Sequence, residues 1–387
     1  MNSTNVQNAQ LINLFENGTL RSYRTMDISV NDSETQKDSI KTFILKNTSS
    51  SPLGRYSISL CFDHRLLEIL HEKDKIKLNG YGDGDKEYLR SLFKDKLVDN
   101  RTKFLEYLDD SFRQGIRDSL ISAGFCTPPE IEEILSETCS TNLAFIPDSG
   151  VINRAVLSRQ ILNRLSIFGT GRFFVAIPRF CLWELENMAS ASKEAFRKRR
   201  GFRGLQEIES LKKYPSQIFD IEIPAPYIFP SKEGSRLSSD ALIRFQVRQY
   251  ARAFSSLIDT CFVTCDKTSY AIAKLEGIKS YCLSIGDLFT VPPQLKLPNW
   301  NGLFANMYIP QAVLIHELAI QYGSVKISGE ENLEIWINID FPNKKADDWI
   351  RGTMQVELKS GDIDAMKKDL QSLPQNVEKV REYESFW

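Results

Sequence analysis

Between residues 142 and 290, short apolar runs alternate with longer stretches whose apolar positions recur at helical spacing. Compact runs predict buried strands and the longer stretches predict amphipathic helices. NLAFIP (142–147) reads as a strand, VINRAVLSRQILNRL (151–165) as a helix, RFFVAIP (172–178) as a strand and RFCLWELENMA (179–189) as a helix. SSDALIRFQVRQYARAFSSL (238–257) then reads as a helix opened by Ser and Asp, and CFVTC (261–265) as a strand. TSYAIAKLEG (268–277) is a helix closed by Gly277, and IKSYCLS (278–284) a last strand. Strands alternating with helices of this length require crossover connections, which predicts an α/β domain with a mainly parallel sheet covered by helices on both faces.

The flanks carry different patterns. KTFILKN (41–47) and YSISLC (56–61) read as short strands around the turn SSSPLG, and from Lys86 to Thr138 apolar residues recur at helical spacing. Residues 1–140 therefore form an N-terminal region, mostly helical, ahead of the α/β domain at 141–290. The three prolines of VPPQLKLPNWNG (291–302) mark a boundary. Beyond it, PQAVLIHELAIQYG predicts a helix, LEIWINIDF and TMQVEL strands, and DIDAMKKDLQSL a helix, so 303–387 reads as a small α+β domain.

Composition narrows the function classes. The chain has 387 residues, 42% hydrophobic and 26% charged, enough for two or three packed domains. A formal net charge of −1 supplies no global attraction for polyanions, so a nucleic-acid contact requires a local basic face. No apolar window is long enough to span a membrane, and the polar start lacks a signal-peptide layout, so the reading is cytoplasmic with no membrane partner. Seven cysteines without paired CxxC spacing, several inside apolar runs, read as buried reduced thiols.

Four acids occupy matching places in the strand–helix alternation: Asp148, Glu184, Asp240 and Asp266. Parallel α/β sheets gather functional residues outside the carboxyl ends of their strands, where loops lead into helix N-termini. Carboxylates brought together repel unless a cation lies between them, so convergence here asks for a divalent metal and points to phosphodiester chemistry. Each acid also has a local reading. Asp148, Asp240 and Asp266 suit helix caps or first turns, and Glu184 suits a solvated helix face with Glu186 as the alternative ligand.

The blocks NLAFIPDSGVINRAV, FFVAIPRFCLWELENMA, SSDALIRFQVR and CFVTCDKTSYAIAKLEGIKSYCLS resemble the successive blocks of PIN-domain nucleases. The resemblance implies a PIN-like sheet and Mg²⁺ or Mn²⁺ held by an Asp after the first strand, here Asp148, and by the Glu of a Glu-Leu pair, here Glu184 with Leu185. It adds an Asp opening a later helix, here Asp240, and the Asp of a Thr-x-Asp turn, here Asp266 with Thr264 at the substrate. It implies a metal-dependent endoribonuclease that hydrolyses single-stranded RNA, with these acids catalytic and with 5′-phosphate and 3′-hydroxyl products. The long stretch between Glu184 and Asp240 departs from compact family members and leaves substrate choice open. A structure-specific DNA nuclease, and a catalytically silent PIN-like scaffold binding RNA or protein, are the alternatives. A homodimer or a protein partner is compatible with all three.

KEAFRKRRGFRGLQEIESLKK (193–213) places Lys193, Arg197, Lys198, Arg199, Arg200 and Arg203 close to Glu184, with Phe196 and Phe202 interleaved. Cations suit phosphate oxygens and aromatic faces suit unstacked bases, so this stretch is a candidate single-strand binding surface; a solvated helix face explains it equally well. Arg244, Arg248 and Arg252 recur every four residues and suggest a second stripe. The glycines of GYGDGD (80–85) lack the context of a nucleotide loop. The histidines His64, His71 and His316 form no zinc or hydrolase motif, and His316 reads as a core or boundary residue. Trp336 and Trp349 read as packing anchors.

Overall fold

The computed structural model describes residues 3–22, 26–32, 41–47, 56–62, 115, 118–119, 121–124, 128–138, 142–162, 173–211, 221–223, 239–283, 311–329 and 332–371. Residues 86–114 of the expected helical stretch, the GYGDGD turn, the 291–302 boundary, His64 and His71 lie outside them. The strands are β1 (Ser3–Val6), β2 (Met26–Asp32), β3 (Lys41–Asn47), β4 (Tyr56–Phe62), β5 (Leu143–Pro147), β6 (Phe173–Pro178), β7 (Ile221–Ile223), β8 (Asp259–Thr264), β9 (Ser280–Cys282), β10 (Gly323–Gly329), β11 (Leu333–Asn338) and β12 (Met354–Ser360). The α-helices are α1 (Asn8–Ile12), α2 (Pro129–Thr138), α3 (Ser149–Ile152), α4 (Arg179–Ala191), α5 (Ala195–Leu211), α6 (Ser239–Phe254), α7 (Lys267–Leu275), α8 (Gln311–Tyr322), α9 (Ala346–Ile350) and α10 (Ile363–Gln371).

The alternation between 142 and 283 folds into a five-stranded parallel sheet of order β7-β6-β5-β8-β9. Every residue of the central strand β5 is buried, as a strand covered on both faces must be. Helices α4 and α6 pack against β6, and α6 and α7 against β8, which gives the α/β architecture expected from the pattern. The helix expected over 151–165 is interrupted. It runs as α3, turns through Asn153–Ala155 with Ala155 at φ 54°, and continues as the π-helical stretch Leu157–Leu162. The Ser158 amide donates to the Glu207 carboxylate at 2.8 Å instead of to the preceding turn, so a tertiary partner takes the place of a helical one.

The second five-stranded sheet has the order β1-β12-β11-β10-β2, antiparallel throughout. Its inner strands come from the C-terminal region, with the apolar alternation of LEIWIN and MQVELKS directed to one core. Both edges come from the N-terminal region, which crosses the division drawn at residue 140. Edge pairing uses main-chain N–H and C=O groups, which leave no side-chain signature in sequence. The two short strands expected there, β3 and β4, pair antiparallel as a separate two-stranded sheet.

Helix α8 joins the two halves. Its residues 312–320 are all buried, because it packs on β10 and β2 on one side and against α5 on another. Buried polar groups need partners, and Glu317 accepts from Arg159 at 2.6 Å and from Arg203 at 2.9 Å. Burial opposes ionisation of Glu317, but Arg203 and Arg159 hold its carboxyl well below the usual range. His316 is a core residue, as expected; burial lowers it to about 4, so it is neutral at physiological pH. Among the described residues no helix is long and apolar enough to cross a membrane, and Cys181, Cys261, Cys265 and Cys282 are unbridged.

Candidate active site

The carboxyl ends of β5, β6 and β8 lie on one edge of the parallel sheet, and the helices that follow them start there. Asp148 leaves β5 and caps α3, its Oδ1 accepting from the Val151 amide at 2.8 Å. Its Oδ2 accepts from the Thr264 hydroxyl and from the Cys265 amide at 3.3 Å. Thr264 ends β8 fully buried and also accepts from the Asp266 amide at 2.9 Å, which links Asp266 to Asp148 through one hydroxyl. Asp266 caps α7, with Oδ1 accepting from the Thr268 and Ser269 amides at 2.6 and 3.0 Å. The cap readings of Asp148 and Asp266 are therefore both present, alongside their placement at the edge.

Glu184 comes from the second turn of α4, and its Oε2 accepts from the Ser149 hydroxyl at 2.7 Å. Helix α4 is held in place by close contact with α5. A Cβ on Gly201 would sit 2.8 Å from Leu185 O, and one on Gly204 would sit 3.0 Å from Leu185 Cδ1, so only glycines allow this approach beside Glu184. Asp240 lies exposed in the first turn of α6. Burial pushes the Cys181 thiol well up, and the carboxylates of Asp148, Glu184 and Asp240 add to the effect. Around Cys282 burial raises the thiol to about 11, with Glu130, Asp148 and Asp266 adding to it and Lys267 opposing.

Asp148 is the electrostatic centre. Burial raises its carboxyl from 3.8 to about 6 against the lowering effect of Thr264, the two amides and the nearby Arg154. Arg154 donates to Gly150 O at 3.0 Å and to Asp118 at 3.2 Å, so it braces the turn that carries Asp148. Carboxylate and hydroxyl oxygens suit Mg²⁺ or Mn²⁺ in donor chemistry, and a cation beside Asp148 would relieve the cost of ionising it. Among the described residues no group of three or more His, Cys, Asp or Glu side chains is arranged to hold a metal ion.

The expected nucleic-acid surface is corrected in part. Arg199, Arg200 and Arg203 are 1%, 4% and 2% exposed and point into the protein. Arg199 pairs with Asp340 at 2.6 Å and donates to Ile320 O; Arg200 bonds Gln321 and Asn153 O; Arg203 pairs with Glu317. Phe202 stacks on Trp349 at 5.1 Å, which makes Trp349 the packing anchor expected of it. A cationic helix face reads identically in sequence whether it meets water or carboxylates on α8, and here α8 and its neighbours meet it. Lys193, Arg197 and Lys198 remain exposed. Arg244 is likewise buried, 3.6 Å from Glu276, and Arg248 lies 3.8 Å from the same carboxylate, so of the second stripe Arg252 is the exposed member. Thr264 lies beneath the site rather than on its surface and orients Asp148 and Asp266.

Sequence reading passed over Ser149, Arg154, Cys181 and Trp183. Ser149 and Arg154 carried a signal, since both belong to the turn after β5; Cys181 and Trp183 carried none until α4 was placed.

No protein family matches this chain, and no curated protein does. Among solved structures, a domain of a functionally unknown protein from Methanocaldococcus jannaschii DSM 2661 is similar at 21% identity, over 36% of this chain and 90% of that one, with a TM-score of 0.25. A likeness at that score carries no argument about fold or function.

Proposed function

We propose that this chain is a metal-dependent endoribonuclease of PIN-like fold that hydrolyses single-stranded RNA at the edge carrying Asp148, Glu184, Asp240 and Asp266. The observation that carries the reading is the shared sheet edge: Asp148 and Asp266 follow β5 and β8 and are linked through the Thr264 hydroxyl, and Glu184 accepts from Ser149 in the turn directly after Asp148. Mg²⁺ or Mn²⁺ bound there would supply a water of lowered pKa and charge stabilisation for the departing oxygen. The chain's own part is to hold the acids. Thr264 and the Cys265 amide fix Asp148, Ser149 fixes Glu184, and the α7 amides fix Asp266. Exposed Lys193 and Lys198 would meet phosphates on the flank, beside exposed Arg197, which pairs with Glu194 at 3.3 Å.

The test is Mn²⁺-dependent cleavage of matched single-stranded RNA and DNA by wild type, Asp148→Asn and Glu184→Gln. RNA cleavage lost in both variants supports the reading, and undiminished cleavage in both refutes it. Preferential cleavage of DNA would select the structure-specific DNA nuclease instead. The inward bonding of both Asp148 oxygens favours, as second reading, a silent scaffold of the same fold; such a protein would gain no thermal stability from Mn²⁺.

A further inference from the structure

The exposed large hydrophobic side chains among the described residues are Trp183, Leu257 and Leu275, at 55%, 68% and 88%. Leu257 precedes β8, and Leu275 ends α7 ahead of β9, so both lie toward the amino ends of the strands. Trp183 lies at the opposite edge, in the second turn of α4, directly before Glu184. Its neighbours Cys181 and Leu185 are buried in the core, so helical geometry turns the indole outward while Glu184 bonds Ser149 beside Asp148. Arg179, one turn earlier on the same exposed face, and exposed Lys267, after Asp266, put cations on the rim of this edge.

An indole left in water at the rim of an acidic edge, with cations beside it, matches the needs of a nucleotide whose base is unpaired. Its ring faces suit the base, the cations suit phosphates, and a base inside a duplex has no free face to offer. We infer that Trp183 is a base-stacking platform for single-stranded RNA, holding an unpaired base next to the phosphate that faces the acids. The inference rests on the nuclease reading of those acids and adds to it the side chain that holds the unpaired base.

The experiment uses the full chain. Binding of a labelled single-stranded RNA oligonucleotide is measured in chelator for wild type, Trp183→Ala and Trp183→Phe, together with the same oligonucleotide carrying abasic positions, and kcat and KM are measured with Mn²⁺. Stacking predicts that Trp183→Ala weakens binding about tenfold, with the loss carried by KM rather than kcat. It also predicts that Trp183→Phe restores most of it and that the alanine variant no longer prefers the intact oligonucleotide over the abasic one. If wild type cleaves RNA and Trp183→Ala binds and cleaves equally well, the platform is overturned while the nuclease reading stands. If wild type neither binds nor cleaves RNA, both fall. A change in sedimentation of Trp183→Ala without a change in RNA affinity would assign the side chain to a protein contact and overturn the platform.

Discussion

Asp148→Asn isolates the electrostatic cost that the fold places on its edge. The carboxyl rises from 3.8 to about 6, chiefly through burial, so the folded protein binds that proton more tightly than the unfolded chain does. Stability contributed by the protonated form is complete below the unfolded value and is lost as pH rises through about 6. The full rise corresponds to about 3 kcal/mol at neutral pH. Asp148 retains partial exposure, and screening by water reduces the expected loss to about 1–2 kcal/mol. Asn keeps the cap on the Val151 amide and removes the charge, so its own hydrogen-bond losses are the same at every pH. Urea unfolding in chelator from pH 4 to 7.5 should show wild type losing that increment relative to Asp148→Asn, with most of the change between pH 4 and 6.5. Parallel pH profiles for the two proteins would refute the buried-carboxylate argument. Mn²⁺ at one hundred times its Kd should then stabilise wild type by about 2.7 kcal/mol at pH 7 and the variant by much less.

Gly201→Ala tests the close approach of α5 to α4: the new Cβ meets Leu185 O and the backbone of Met188, so overpacking should outweigh the gain in helix propensity and cost about 1–3 kcal/mol by urea unfolding. An unchanged midpoint would show that the α4–α5 contact can relax. Glu317→Gln leaves Arg159 and Arg203 without their shared counter-charge in the buried layer between the two sheets, and should cost about 3 kcal/mol, read as a lowered urea midpoint at pH 7. The triple change of Glu317, Arg159 and Arg203 to apolar residues should recover most of that loss.

Apart from the short edge strand β7, which the pattern did not reveal, the strands between 142 and 283 were legible because buried parallel strands and amphipathic helices write different periodicities into sequence. Asp148 and Asp266 were legible for the same reason, since each follows a run that ends as a strand. The helix expected at 151–165 was misread because the Ser158 amide finds its acceptor on Glu207, 49 residues away, and local pattern cannot register such a partner. The basic run 193–203 was misread in its inner half for a related reason: three of its arginines meet Glu317, Gln321 and Asp340, which lie more than a hundred residues further on.

Sequence by itself determined the strands β3, β4, β5, β6, β8, β9, β11 and β12 and the acids that follow strands of the α/β half, because these depend on side-chain periodicity and on turn chemistry close in the chain; β1, β2, β7 and β10 were not read from it. Tertiary structure alone decided that N-terminal strands close both edges of the C-terminal sheet, that three arginines of α5 face inward, and that Trp183 stays in water beside Glu184. Main-chain pairing and the burial of charge are settled by what a segment meets across space, and distance along the chain holds no record of that meeting.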